Sequence, residues 1–225
     1  MQTELATFLR TAFLVVAALL PIINPPGGAP IFLSMTAGLD ARTRRTMATR
    51  ISINAMILLV VAMFIGSYVL AFFGISLMAV RLGGGLLVMA SGWKLLNSDE
   101  PDKPHDNPTG QCSESHLASQ AFYPLTFPLM VGPGSISIAV ALGATLPTPG
   151  VSLWMKMLAS LTAIVIVSLT VYLSLRSAPR LLQYLGATGM TVLLRMSAFI
   201  LLCVGVQIVL GGIEDFVKAF SQPGL

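Results

Sequence analysis

The stretch IINPPGGAPIF, residues 22–32, interrupts the first apolar run of the chain with three prolines and two glycines. A proline has no N–H, and its ring clashes with the carbonyl one turn back, so a helix broken here frees several backbone groups. Lipid offers such groups no partner, so this backbone has to be buried in protein or line an aqueous cavity. Pro30 suits the first turn of a new half-helix, where the missing N–H costs nothing. Glycines let a ligand approach the main chain, and the N–H groups at a half-helix start attract an anion. The break therefore reads as part of a site, provided the run around it lies in a membrane.

Composition says that it does. Of 225 residues, 55% are hydrophobic and 10% charged, with a mean hydropathy of +0.85; soluble domains carry charge on about 25% of residues. The length accommodates about six spans of roughly 20 residues. A net charge of +4, with arginines near segment ends and no aromatic interleaving, speaks for membrane topology and against nucleic-acid binding. Cys112 lies in a polar stretch and Cys203 in an apolar one, which makes neither a disulfide framework nor a metal pair. The run after Glu4 and Arg10 continues past a signal-peptide core, so it reads as an uncleaved first span.

Six apolar segments follow, at 5–38, 51–73, 76–96, 121–146, 154–175 and 194–213. A polar stretch, NSDEPDKPHDNPTGQCSESH at 97–116, divides them into two sets of three. The halves share an order. PLMVGPGS, residues 128–135, breaks the fourth segment as PIINPPGG breaks the first, so Asn24-Pro25 stands opposite Gly132-Pro133. The third segment of each half has an arginine near its start, Arg81 or Arg195. Three is odd, so the second half enters the membrane inverted, the arrangement of many secondary transporters. The expected architecture is an all-α membrane protein of six helices in two inverted three-helix repeats. These are residues 1–96 and 121–225, joined by a cytoplasmic linker at 97–120.

Orientation follows from Lys and Arg counts. Arg42, Arg44, Arg45, Arg50, Lys94, Lys103, Arg176 and Arg180 lie on one side, and Arg10, Lys156 and Lys218 on the other. The richer side is expected to be cytoplasmic, which leaves both termini periplasmic. Arg81 then enters from the outer face and Arg195 from the inner one.

The two breaks together define the candidate site: Asn24, Pro25, Gly27, Gly28, Gly132, Pro133, Gly134, Ser135 and Ser137. Half-helix N-termini would take a small carboxylate, and the opposing C-terminal carbonyls an ammonium group or a cation. Ser135 and Ser137 either contact the ligand or bond to backbone one turn away. Arg81 and Arg195 either reach inward to the substrate or the helix ends, or snorkel at the segment ends and fix topology. Gly83, Gly84 and Gly85 read as close helix packing, and Arg42 to Arg50 as a solvated topological anchor. No Asp, Glu or His falls within the six apolar cores, and Glu214 and Asp215 follow the last one. An intramembrane carboxylate relay is therefore unsupported, and a coupling ion, H+ or Na+, would have to use carbonyls and hydroxyls, or protonate the substrate or a residue at the cavity edge. No cofactor or metal is expected.

NPPGGAPIFLSMT (24–36), FGISLMAVRLGGGLLVMASGWKLL (73–96), PLTFPLMVGPGSIS (124–137) and RMSAFILLCVGVQIVLGGIED (195–215) resemble the MarC family of bacterial and archaeal inner-membrane proteins. The double proline Pro25-Pro26 departs from that family's usual Asn-Pro followed by an aliphatic residue. The resemblance implies six spans, periplasmic termini and transport of small neutral amino acids such as glycine and alanine. The leading expectation is thus a secondary transporter or exporter of small neutral amino acids by alternating access. The alternatives are a non-transporting scaffold and a lipid-handling membrane protein. An enzyme is not expected, because GPGS (132–135) has no intramembrane histidine or carboxylate to activate its serine.

Overall fold

The prolines and glycines decide where helices stop, and charge decides how far they run beyond the apolar core. The computed structural model describes residues 2–36, 38–97, 118–145 and 153–221, and it is all-helical there. The first apolar run folds as α1 (Gln2–Ile23) and α2 (Pro25–Met35), which together make one candidate span, Glu4–Leu33. The helix stops at Thr36, short of the expected end at 38, and the Thr36 amide closes on the carbonyls of Phe32 and Leu33.

α3 (Ala41–Phe72) is longer than the apolar segment 51–73 because it begins ten residues earlier, at a carboxylate cap. Asp40 accepts from the amides of Arg42 and Thr43 at 3.0 and 3.2 Å, which satisfies donors that a helix start would otherwise leave open. The arginine run is therefore a helical extension of the span. α4 (Leu77–Asn97) starts where Ser76 Oγ accepts from Ala79 N. At 21 residues α4 is long enough to cross a bilayer. However, it carries Arg81, Lys94 and four glycines, and it is not among the four described helices long and apolar enough to cross a membrane.

The second broken run consists of α5 (Ala121–Met130) and α6 (Pro133–Ala144), which meet at a bend of 70°. α5 is wound in wide π-type turns, with extended backbone at Tyr123 and Phe127. Each of those residues precedes a proline, which disfavours the helical region for its neighbour. Thr126 Oγ1 donates to the Ala121 carbonyl at 2.6 Å, and its own carbonyl accepts from Val131 N at 2.8 Å.

The expected fifth and sixth segments are two helices, the first and second arms of α7 (Leu153–Ser221), divided by a kink at Gly186. That residue has φ 63° and ψ −177°, a region closed to side chains with a Cβ. The arms, Leu153–Gly186 and Thr191–Val217, each meet the span criterion. Among the described residues four helices do so, and the bent pair α5–α6 makes a fifth candidate. The chain is thus a multi-pass helical membrane protein. Most of the linker at 97–120 lies outside the described residues, as do Cys112 and both histidines.

The core lies where α1, α2, α3, α5 and the first arm of α7 converge around Leu19, Phe32, Ile51, Leu59, Leu125 and Ile164. Facing outward, Phe72, Trp154 and Phe13 are 85%, 80% and 72% exposed, a surface that lipid solvates at no cost but water does not. α4 and the second arm of α7 pack antiparallel through glycine. A Cβ on Gly92 would lie 2.7 Å from Leu202 N, and one on Gly85 would lie 2.9 Å from Val209 N. Backbones this close require small residues, which compensate in a membrane for the missing hydrophobic drive between helices. Gly84 instead faces Ser137 of α6, and Gly83 meets nothing.

Candidate functional site

At the first break, Asn24 is the N-cap of α2 with φ 47° and ψ 60°, a left-handed conformation that asparagine tolerates better than most residues. Its side chain accepts from Gly27 N at 3.3 Å. The next two positions, Pro25 and Pro26, carry no N–H at all. The start of α2 therefore keeps no main-chain donor for a ligand, contrary to the expectation that both half-helix starts attract an anion. The other side of the break has the opposite character. Leu20 O accepts from Asn24 N, but the carbonyls of Pro21 and Ile22 would need N–H groups from Pro25 and Pro26, which have none. The carbonyl of Ile23 loses the Gly27 amide to Asn24. The end of α1 is an acceptor surface.

At the second break, Gly132 is the N-cap of α6, and no side chain caps the helix. Pro133 takes the first position. Gly134 and Ser135 follow with amides that no side chain caps among the described residues, while Ile136 N closes the first turn on Gly132 O at 3.1 Å. Positive helix-dipole character adds to these donors. The Ser135 hydroxyl donates to Gly132 O at 2.9 Å, and that of Ser137 donates to Pro133 O at 2.9 Å. Both serines thus bond to backbone within about a turn.

One cavity of about 450 Å³ joins the two breaks, a size in the range of small-molecule sites. Of the expected site residues it gathers Asn24, Gly27, Gly28, Gly132, Pro133, Gly134, Ser135 and Arg195. Pro25 is buried beside it, and Ser137 turns away to pack on Gly84. Lys94 and Ser91 of α4 and Thr191 at the start of the second arm also line the wall, and sequence reading did not single them out as site residues. Lys94 was visible only as a topological charge; what brings it to the cavity is the antiparallel pairing of α4 with the second arm. The remaining wall is aliphatic, with Ile22, Ile31, Val88 and Leu129.

Arg81 does not reach this cavity. It forms an ion pair with Asp215 of the second arm, with the two side chains 28% and 42% exposed. It also lines a smaller hollow of about 210 Å³, with Ala18, Ala141, Leu142 and Gly211. That hollow lies toward the start of α4 and the far half of α6, on the other side of the breaks. Arg195 is exposed and lines the larger cavity. The two arginines, equivalent in the sequence pattern, are in different states.

Residues 9–217 match the family described as MarC family integral membrane protein. The chain belongs to the MarC family. The inner membrane protein MarC of Citrobacter koseri is 28% identical over 211 residues, covering 90% of this chain and 93% of the relative. The proteins of the same name from Salmonella typhimurium and Escherichia coli K12 are each 28% identical over 208 residues, with the same coverage. No solved structure matches this MarC-family chain.

Proposed function

We propose that this MarC-family protein is a secondary transporter or exporter of small neutral amino acids across the inner membrane. It works by alternating access around two broken helices, within two inverted three-helix repeats at 1–96 and 121–225. The observation that carries the proposal is the single cavity onto which both breaks open, one lined with acceptors and the other with donors. A zwitterion matches that polarity. Its ammonium group faces the carbonyls at the end of α1, and its carboxylate faces the amides of Gly134 and Ser135, with Arg195 beyond. A cation such as Na+ would compete for the same carbonyls, whereas proton coupling would leave them to the substrate.

Alternating access is supported by the contrast between the two sides of the breaks. The side with Arg195 holds the cavity of about 450 Å³, while the side with Arg81, which pairs with Asp215, holds a hollow of only about 210 Å³. The antiparallel packing of α4 on the second arm supports the inverted repeat, since these are the third helices of the two halves. The names of the relatives support the inner membrane, and the arginine count supports periplasmic termini. No His, Asp or Glu lines the larger cavity among the described residues, and the Ser135 hydroxyl donates to Gly132 O rather than to Lys94 on the same wall, which favours transport over hydrolysis.

Proteoliposomes loaded with labelled alanine or glycine, with and without a Na+ or H+ gradient, test the proposal. Flux above that of empty liposomes, reduced in Asn24→Ala, is the expected result. Flux equal to that of empty liposomes for every small neutral amino acid would reject the substrate class and favour the scaffold or lipid reading.

A further inference from the structure

At the arginine-rich end of the molecule, two guanidinium groups from helices distant in sequence converge on one neutral oxygen. Arg45 of α3 donates through Nε to Tyr172 Oη at 3.4 Å. Arg176, in the first arm of α7, donates through Nη1 to the same oxygen at 3.3 Å and lies 5.8 Å above the Tyr172 ring. Neither arginine has a carboxylate partner among the described residues. Two like charges so close repel, and a phenol oxygen accepts two hydrogen bonds but supplies no compensating charge. Arg44 adds a third guanidinium nearby and is already held, its Nη2 donating to the carbonyls of Thr36 and Leu39 at 2.9 and 3.1 Å. A solvated topological anchor would spread such charges apart; here they are gathered.

The surface leading away from the arginines is apolar. Arg45, Thr49, Ile53 and Ile57 follow at four-residue spacing on one exposed face of α3, with Ile53 and Ile57 47% and 52% exposed. On α7, Leu169, Tyr172, Leu173 and Arg176 share a face, with Leu169 and Leu173 53% and 52% exposed. Because Arg45 meets Tyr172, both stripes run from the charged end toward the middle of the spans. The result is a seam with a cationic head and an aliphatic tail.

We propose that this seam between α3 and the first arm of α7 is a binding site for an anionic phospholipid. Arg45 and Arg176 hold the phosphate, and the acyl chains lie along Ile53, Ile57, Leu169 and Leu173. A phosphate offers several charged oxygens to two planar forks, a better partner than a phenol. Basic pockets between spanning helices take lipid head groups by the same chemistry. The site is separate from the cavity at the breaks and does not depend on what that cavity carries.

Thermal melting of the purified full chain in neutral detergent tests it. Parallel samples receive phosphatidylglycerol, phosphatidylcholine or inorganic phosphate. Phosphatidylglycerol is expected to raise the wild-type melting temperature by about 5 °C at saturation. Arg45→Gln/Arg176→Gln is expected to lose that shift, and Arg45→Lys/Arg176→Lys to keep a smaller one. If the glutamine pair melts early without lipid, the single glutamine variants are read instead, each losing at least half the shift. The proposal is overturned if wild type shows no shift, if the glutamine variants keep the full shift, or if phosphatidylcholine or inorganic phosphate reproduces it.

Discussion

The two proline breaks occupy matching places in the two halves, yet they solve the same backbone problem in opposite ways. The first is self-sufficient. Asn24 turns left-handed, caps Gly27, and lets α1 and α2 continue as one 30-residue candidate span. Its prolines delete the donors of α2 and strand the carbonyls of α1, so what remains is acceptor character. The second break bends by 70°, is approached through wide turns, and leaves the amides of Gly134 and Ser135 uncapped. Two breaks that a sequence pattern treats as equivalent thus become the negative and positive ends of one cavity. A broken helix in a membrane is a source of polarity, and local capping decides its sign.

The largest effect is expected from converting the second break into the first kind. Ser135→Pro deletes an amide donor while remaining acceptable in the first turn of a helix. A hydrogen bond to a charged group is worth about 1.5–3 kcal/mol, so binding or flux should fall by about 10- to 100-fold. Ser135→Ala keeps the amide and should lose little; equal losses in the two variants would show that the amide is not the donor. Proteoliposome flux and substrate-dependent thermal shifts measure both.

Stability should divide the breaks next. A Cβ at position 134 would strike Val88, a stiff β-branched side chain, whereas one at position 28 would strike the flexible end of Met130. Gly134→Ala should therefore destabilise by about 1–3 kcal/mol, the usual cost of overpacking. Gly28→Ala should cost clearly less in the same melting assay. The reverse order would mean that the packing at the second break is the softer of the two.

The cap at Asn24 should come next in size. Asn24→Ala removes the acceptor for Gly27 and puts a Cβ in left-handed backbone, at a cost of about 1–2 kcal/mol, while Asn24→Gly should cost a few tenths. Matching melting temperatures for the two variants would reduce the first break to a plain kink.

The smallest effect concerns pH. Hydrogen bonds from Thr43, then from the Arg42 amide, hold the Asp40 carboxyl below its ordinary value of 3.8. Its folded value is depressed, so the stability it adds is full above the unfolded value and is lost as pH falls through the folded one. The difference between wild type and Asp40→Asn should shrink on acidification, whereas the neutral cap at Asn24 should show no such dependence. Melting curves from pH 7 down into the acid range compare the two caps.

Much of the helical plan was legible because its causes are local. Pro25, Pro26 and Pro133 stand at helix starts, and Pro124 and Pro128 kink α5. Pro21, Pro179 and Pro30 instead lie inside helices, Pro30 past the first turn it was expected to occupy. The apolar runs located every described helix. The extents were less legible. α3 begins ten residues before its apolar segment because Asp40 caps it, and the fifth and sixth segments are two helices, as expected, that run beyond their apolar stretches to a kink at Gly186. Of the candidate site, the glycines and prolines of the two breaks were visible, while Lys94, Ser91 and Thr191 were not. Nothing in their own neighbourhoods marks them, since they reach the cavity only through the crossing of α4 and the second arm.

The sequence by itself determined that this is a helical membrane protein and where its two spans break, because a missing N–H is a covalent property of proline. Tertiary structure decided what the breaks became. It set the 70° bend at one and not the other, joined them through one cavity, and paired Arg81 with Asp215 while leaving Arg195 on the cavity wall. Those outcomes depend on which distant backbone or side chain arrives to satisfy a freed group, and no local pattern encodes that arrival.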